Sequence, residues 1–110
     1  MRKVLIAVAA VVLFANTALA HPPLNVDIKQ TKTMINVTVN HPVGDPKTHY
    51  IGRIEVMVND NKVITQRFFM QTGNVQIAVY NIPSIKKGDK LMVRAYCNKS
   101  GDLTNMIQAK

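Results

Sequence analysis

The chain has 110 residues but a single cysteine, Cys97, and no tryptophan. One cysteine cannot close an internal disulfide. Aromatic residues make up 5% of the sequence and acidic residues number only six. No arginine cluster is interleaved with aromatics, so the usual footprint of nucleic-acid binding is missing. No glycine-rich phosphate loop is present. No Ser-His-Asp order stands out, and a Cys97–His49 nucleophile pair has no spacing to support it. Hydrolase chemistry is therefore poorly supported. After residue 20 no sustained helical period occurs either.

The first twenty residues have a different character. Met1-Arg2-Lys3 is a short positive start. Val4 to Ala15 is an apolar run, and Ala18-Leu19-Ala20 is a small-residue cleavage signature. This pattern predicts a secretory signal peptide over 1–20. The apolar run is shorter than the ~20 residues a spanning helix needs. No twin arginine is present, which points to the general export route. The expected location is the periplasm or outside the cell, with no membrane association after cleavage. What remains is one small domain, 21–110. Without Arg2 and Lys3, the 14 basic side chains become 12 against 6 acidic ones, a net charge of +6. A basic surface keeps a protein soluble and attracts anionic partners.

Several short stretches alternate apolar and polar residues. Ile35, Val37 and Val39 do so in 33–39. Ile54, Val56 and Val58 do so in 51–58, opposite Arg53, Glu55 and Met57. Asn59-Asp60-Asn61 is a turn, and 62–70 reads as the returning strand. Val75, Ile77 and Val79 alternate with Gln76 and Ala78. Leu91, Val93, Ala95 and Cys97 share one face of 90–97. The residues after Gly101 carry no strong signal. The expected fold is all-β, an immunoglobulin-like β-sandwich of short antiparallel strands. Met57, Met70 and Met92 lie in strand segments and read as packing rather than a copper stripe.

Three histidines and the cysteine remain. His21 opens the expected mature chain, followed by Pro22 and Pro23. If cleavage follows Ala20, its imidazole and α-amino group together can chelate a metal. His41-Pro42 and His49-Tyr50-Ile51 frame a loop broken by Pro42, Gly44 and Pro46. Cys97-Asn98-Lys99-Ser100-Gly101 closes the last strong strand. Taken singly, these residues read as a frayed terminus, surface histidines and a buried inert thiol. As an ordered set, they resemble the ferrous-iron domain of the desulfoferrodoxin and superoxide reductase family. The family pattern is a histidine followed by proline, a His-Pro pair, a His-Tyr-Ile element and a terminal Cys-Asn-x-His-Gly.

The resemblance implies mononuclear Fe(2+) held equatorially by His21, His41 and His49, with Cys97 axial and one position open. It implies reduction of superoxide to hydrogen peroxide with electrons from an external donor protein. Imidazoles suit Fe(II), and a thiolate opposite the open position pushes electron density toward a bound oxygen species. The chain departs from the family at Ser100, which stands where the fourth histidine belongs. Water, Ser100 or the His21 α-amino group are the replacements to consider. The family's lysine before its first histidine is also missing, and Lys47 is the substitute positive charge within reach of the chain order. A copper-binding module built on His21, and a partner-binding sandwich without reductase activity, are the competing readings. Copper(II) outcompetes Fe(II) at most nitrogen sites.

Overall fold

A computed structural model describes residues 21–110; the expected signal peptide lies outside the described residues. Seven strands follow in order: β1 (Asn25–Thr31), β2 (Met34–Asn40), β3 (Ile51–Val58), β4 (Asn61–Arg67), β5 (Val75–Asn81), β6 (Lys90–Cys97) and β7 (Asp102–Gln108). They form two antiparallel sheets, β1-β2-β5 and β4-β3-β6-β7. The described residues contain no helix, and the fold is a β-sandwich.

The core is what alternation demands. Ile35, Val37 and Val39 of β2 face Ile54 and Val56 of β3 and Leu91, Val93 and Ala95 of β6 in one cluster. Each such side chain, fully buried, stabilises the fold by roughly 1.5–3 kcal/mol. β1 contributes Val26 and Ile28. On β5 the buried residues are Ala78 and Tyr80, while Ile77 and Val79 stay about half exposed. The larger apolar side chains of that edge strand thus face outward. β7 is anchored by Leu103 and Ile107. Between them, Asn105 donates its side-chain N–H to the Val26 carbonyl of the other sheet at 2.7 Å.

Two departures from regular pairing shape the end of the sandwich that carries the histidines. Ile51 pairs with Cys97 but Arg53 pairs with Tyr96, so Gly52 is an extra residue in β3. The bulge shifts the strand's parity, and Ile51 and Ile54 both point inward although three residues apart. β4 ends at Arg67 rather than at residue 70. There the Phe68 N–H turns to the Gly52 carbonyl, and the chain leaves the ladder toward Gln71. The turn between β3 and β4 has positive φ at Asn59 and Asp60, as a two-residue hairpin requires.

The turn after Cys97 closes when the Cys97 N–H donates to the Gly101 carbonyl at 3.0 Å. Gly101 has φ +80, and a Cβ there would stand 2.8 Å from Pro22 Cβ. Glycine is needed both for the backbone and for the close approach of the His21-Pro22 segment. On the outer face of the larger sheet, Glu55 is buried. It accepts from Tyr96 Oη at 2.6 Å and pairs with Lys62 at 2.8 Å. Arg53 lies 3.9 Å above the Tyr96 ring.

Two predictions follow from these contacts. Gly101→Ala should lower stability by about 1–3 kcal/mol in thermal or urea unfolding. Gly44→Ala, where nothing lies within 4 Å and φ is ordinary, should change it little. Equal effects of the two would mean that Pro22 does not press on Gly101. Lys62 first, then Tyr96, hold the Glu55 carboxyl below its ordinary 4.5. Its contribution is fully present above pH 4.5 and is lost as pH falls through the lower, folded-state value. The stability difference between the wild type and Glu55→Gln should therefore be constant above that pH and shrink in acid. A gap that persists undiminished to about pH 2 would show that the pairs with Lys62 and Tyr96 contribute nothing.

Candidate metal centre

Three separate segments meet at one end of the sandwich. His21 precedes β1, His41 follows β2, and His49 precedes β3. The connection from 42 to 48 folds on itself. The Thr48 and His49 N–H groups both donate to the Asp45 carbonyl, and the Asp45 carboxylate accepts from the Lys47 N–H. This brings His49 back beside His41. Asn98 fixes the other side. It accepts from the Tyr50 N–H at 2.9 Å, donates to the Thr48 carbonyl at 3.0 Å, and gives its own N–H to the Tyr50 carbonyl. The asparagine after Cys97 therefore brackets His49 with hydrogen bonds on both sides.

The outcome is a compact group of imidazoles. One ligand-capable nitrogen from each of His21, His41 and His49 lies within 4.8 Å of the others. Ring centroids are 4.7–5.2 Å apart with steep interplanar angles, so the rings meet edge to face. His41 and His49 are buried, and His21 is half-buried. Burial pushes the pKa of His49 down, with the charges of His41, His21 and Lys99 adding to the effect. A lowered pKa keeps a lone pair available near neutral pH. His49 Nε2 is buried and has no hydrogen-bond partner among the described residues. A buried nitrogen without a partner, on a ring grouped with two other imidazoles, fits a metal ion, which would accept its lone pair. The two ring nitrogens of His21 lie 2.8 Å from the Pro22 carbonyl oxygen and 2.9 Å from that of Pro42. Both oxygens only accept, so a neutral imidazole satisfies one of them.

Cys97 is buried at the end of β6, paired in register with Ile51 two residues beyond His49. Its Sγ accepts from the Lys99 N–H at 3.4 Å. It is not a member of the three-histidine group, whose mutual distances stop at 4.8 Å. Cys97 also borders a surface depression of about 360 Å³ lined by Tyr50, Arg53, Arg67, Phe69 and Tyr96, which contains none of the histidines. Lys47 is exposed on the turn between His41 and His49, and Ser100 is exposed beside Gly101. The lysine whose charge reaches His49 is Lys99.

Two contributors escape sequence reasoning. Lys99 occupies the unspecified position of the cysteine element. Gln71 lies in a turn thirty residues from His41, and nothing about a lone glutamine in a turn marks it. Its side chain is nonetheless 1% exposed and touches the segments of both His41 and His49.

Comparison with known proteins bears on the fold and the family. The solved superoxide reductase (1Fe-SOR) from Giardia intestinalis superposes with a TM-score of 0.61 at 19% identity, covering 81% of this chain and 97% of that one. At that identity the likeness is one of fold. No curated protein matches the chain in sequence. The sequence model of desulfoferrodoxin matches residues 15–103, which span β1 to the start of β7. With its ordered histidines gathered at one end of this sandwich, the chain belongs to the desulfoferrodoxin family.

Proposed function

We propose that the chain is an exported mononuclear iron protein of superoxide-reducing type, with His21, His41, His49 and Cys97 as the metal ligands. The observation that carries the reading is the convergence of three histidines from three segments, one of them with a buried, unpartnered Nε2. A sequence adapted only for stability gains nothing from an orphaned buried nitrogen. An iron ion at such ligands would supply one-electron redox chemistry.

The protein's part is to bind, orient and attract. His21, His41 and His49 would hold the ion through imidazole nitrogens, a donor type that suits Fe(II). Cys97, as a thiolate, adds a negative, electron-rich ligand, and the Lys99 N–H steadies that sulfur. Reduction of superoxide to hydrogen peroxide consumes one electron and two protons. A chain with one cysteine holds no dithiol reserve, so an external donor, which we take to be a protein, would have to resupply that electron. The net charge of +6 after residue 20 draws an anionic substrate, with Lys99, whose charge acts on His49, and Lys47, two residues before His49, on the histidine side. Export is read from residues 1–20 alone.

A second reading has two observations in its favour. Ser100 stands in place of a histidine, and Cys97 lies outside the compact three-nitrogen group. A three-imidazole site without sulfur suits a copper-binding module.

The test uses the chain beginning at His21, loaded with Fe(II) without oxygen and then oxidised. One iron per chain and a visible thiolate-to-ferric band are expected. Cys97→Ala should lose the band and keep the fold by circular dichroism. Retention of copper in place of iron would move the assignment to the second reading. A Cys97→Ala spectrum identical to the wild type would remove sulfur from the ligand set. Superoxide consumption by the loaded protein, followed in the presence of a reductant, then decides the activity.

A further inference from the structure

We infer that Gln71 makes His41 a metal ligand by fixing which ring nitrogen carries the proton. The inference rests on the reading of the three histidines as a metal site.

Gln71 follows β4 in the irregular stretch that leads to β5. Its backbone N–H donates to the Pro46 carbonyl at 3.0 Å, which fastens it to the loop between His41 and His49. Its side-chain amide makes four contacts. Nε2 donates to the His41 carbonyl at 2.7 Å and to the Gly73 carbonyl at 2.9 Å. Oε1 accepts from the Ile51 N–H at 3.1 Å. These three partners determine the amide's orientation, because a carbonyl can only accept and a backbone N–H can only donate. A flipped amide would set its oxygen against two carbonyls and its NH2 against an N–H.

The fourth contact follows from the other three. Oε1 lies 3.0 Å from His41 Nδ1. Oxygens face both ring nitrogens, and the shorter contact, to an Oε1 held in place by three other partners, puts the hydrogen on Nδ1. A neutral imidazole has one N–H, so Nε2 keeps its lone pair. Nε2 lies 3.3 Å from the His21 carbonyl oxygen, which is also an acceptor. Two lone pairs therefore face each other within the histidine cluster, and an electron-pair acceptor placed there would relieve them. Free histidine favours the opposite tautomer, with the hydrogen on Nε2. Gln71 thus acts against the intrinsic preference and prepares Nε2 as the coordinating atom, the usual role of a hydrogen bond to the remote nitrogen of a ligating histidine. The Ile51 contact adds a spacing role, since Ile51 is two residues from His49. One amide sets the tautomer of one ligand and the position of the next.

The test begins with the metal-free wild type labelled with nitrogen-15. Long-range proton–nitrogen correlations of the imidazole rings read the tautomer of each histidine at neutral pH. The Nδ1–H form is expected at His41. Gln71→Met keeps the side chain's length and removes the acceptor and donors. In that variant His41 should shift toward the Nε2–H form, and affinity for Co(II), titrated without oxygen as a spectroscopic probe, should fall about 10- to 100-fold. An Nε2–H tautomer in the wild type overturns the inference, and needs no variant to fold. A Gln71→Met protein with unchanged tautomer and unchanged Co(II) affinity also overturns it. A wild type with the Nδ1–H tautomer that takes up neither Co(II) nor Fe(II) overturns the metal reading and leaves Gln71 as a packing amide.

Discussion

Backbone groups that leave a sheet must find new partners, and this constraint governs the histidine end of the sandwich. The His21 and His41 segments leave the paired ends of β1 and β2, but the His49 segment comes from the other sheet and no ladder joins it to them. Two side-chain amides substitute for the missing ladder. Asn98 joins the turn after Cys97 to the His49-Tyr50 segment through both faces of Tyr50. Gln71 joins the His41 carbonyl and ring to the Ile51 N–H. An amide carries donor and acceptor on one rigid plane, so it can bridge strands in two directions at once. Buried and fully paired, such groups specify one arrangement. Half-paired, they would cost more than an apolar substitute.

The same end of the molecule carries an electrostatic tension. Three imidazoles sit with centroids about 5 Å apart, with no carboxylate among the group. Protonating them together would place like charges in a desolvated space. The depressed pKa of His49 records that cost. Neutral, they present lone pairs to each other and to backbone oxygens. The opposite, outer face of the larger sheet is arranged by the ordinary rule. There the buried Glu55 is matched by Lys62, Tyr96 and Arg53 and leaves nothing unpaired at its carboxylate. At the Glu55 cluster the carboxylate is fully matched, although Arg53 Nε lacks a hydrogen-bond partner; at the histidine cluster the unpartnered atom is a candidate metal ligand.

How much of this can be read without coordinates varies by element. β2, β3 and β6 are legible because each has one face in the core and one toward solvent, so apolar residues recur at every second position. β7 is not, because Asn105 occupies the middle of its inward side to bond Val26 across the sheets, which breaks the alternation. β1 alternates Val26 and Ile28 with polar residues over too short a span to stand out from the terminus. On β5 the pattern shows a strand but hides its orientation. Edge strands carry apolar residues outward, and small Ala78 fits the crowded interior better than Ile77 or Val79.

For the site, the order of His21, His41, His49 and Cys97 is a property of the sequence alone. It is what places the chain beside its family before any geometry is known. The strand alternation and the prolines and glycines between strands likewise follow from local chemistry. The convergence of the rings does not. It depends on the Gly52 bulge, on the contact of Gly101 with Pro22, and on two amides whose partners lie twenty to fifty residues away. Hydrogen bonds at that separation leave no periodic trace, because a single Gln or Asn needs no pattern around it to act. Thus the candidate ligand types were written in the sequence, while their spacing and the contacts of each ring were decided by tertiary structure.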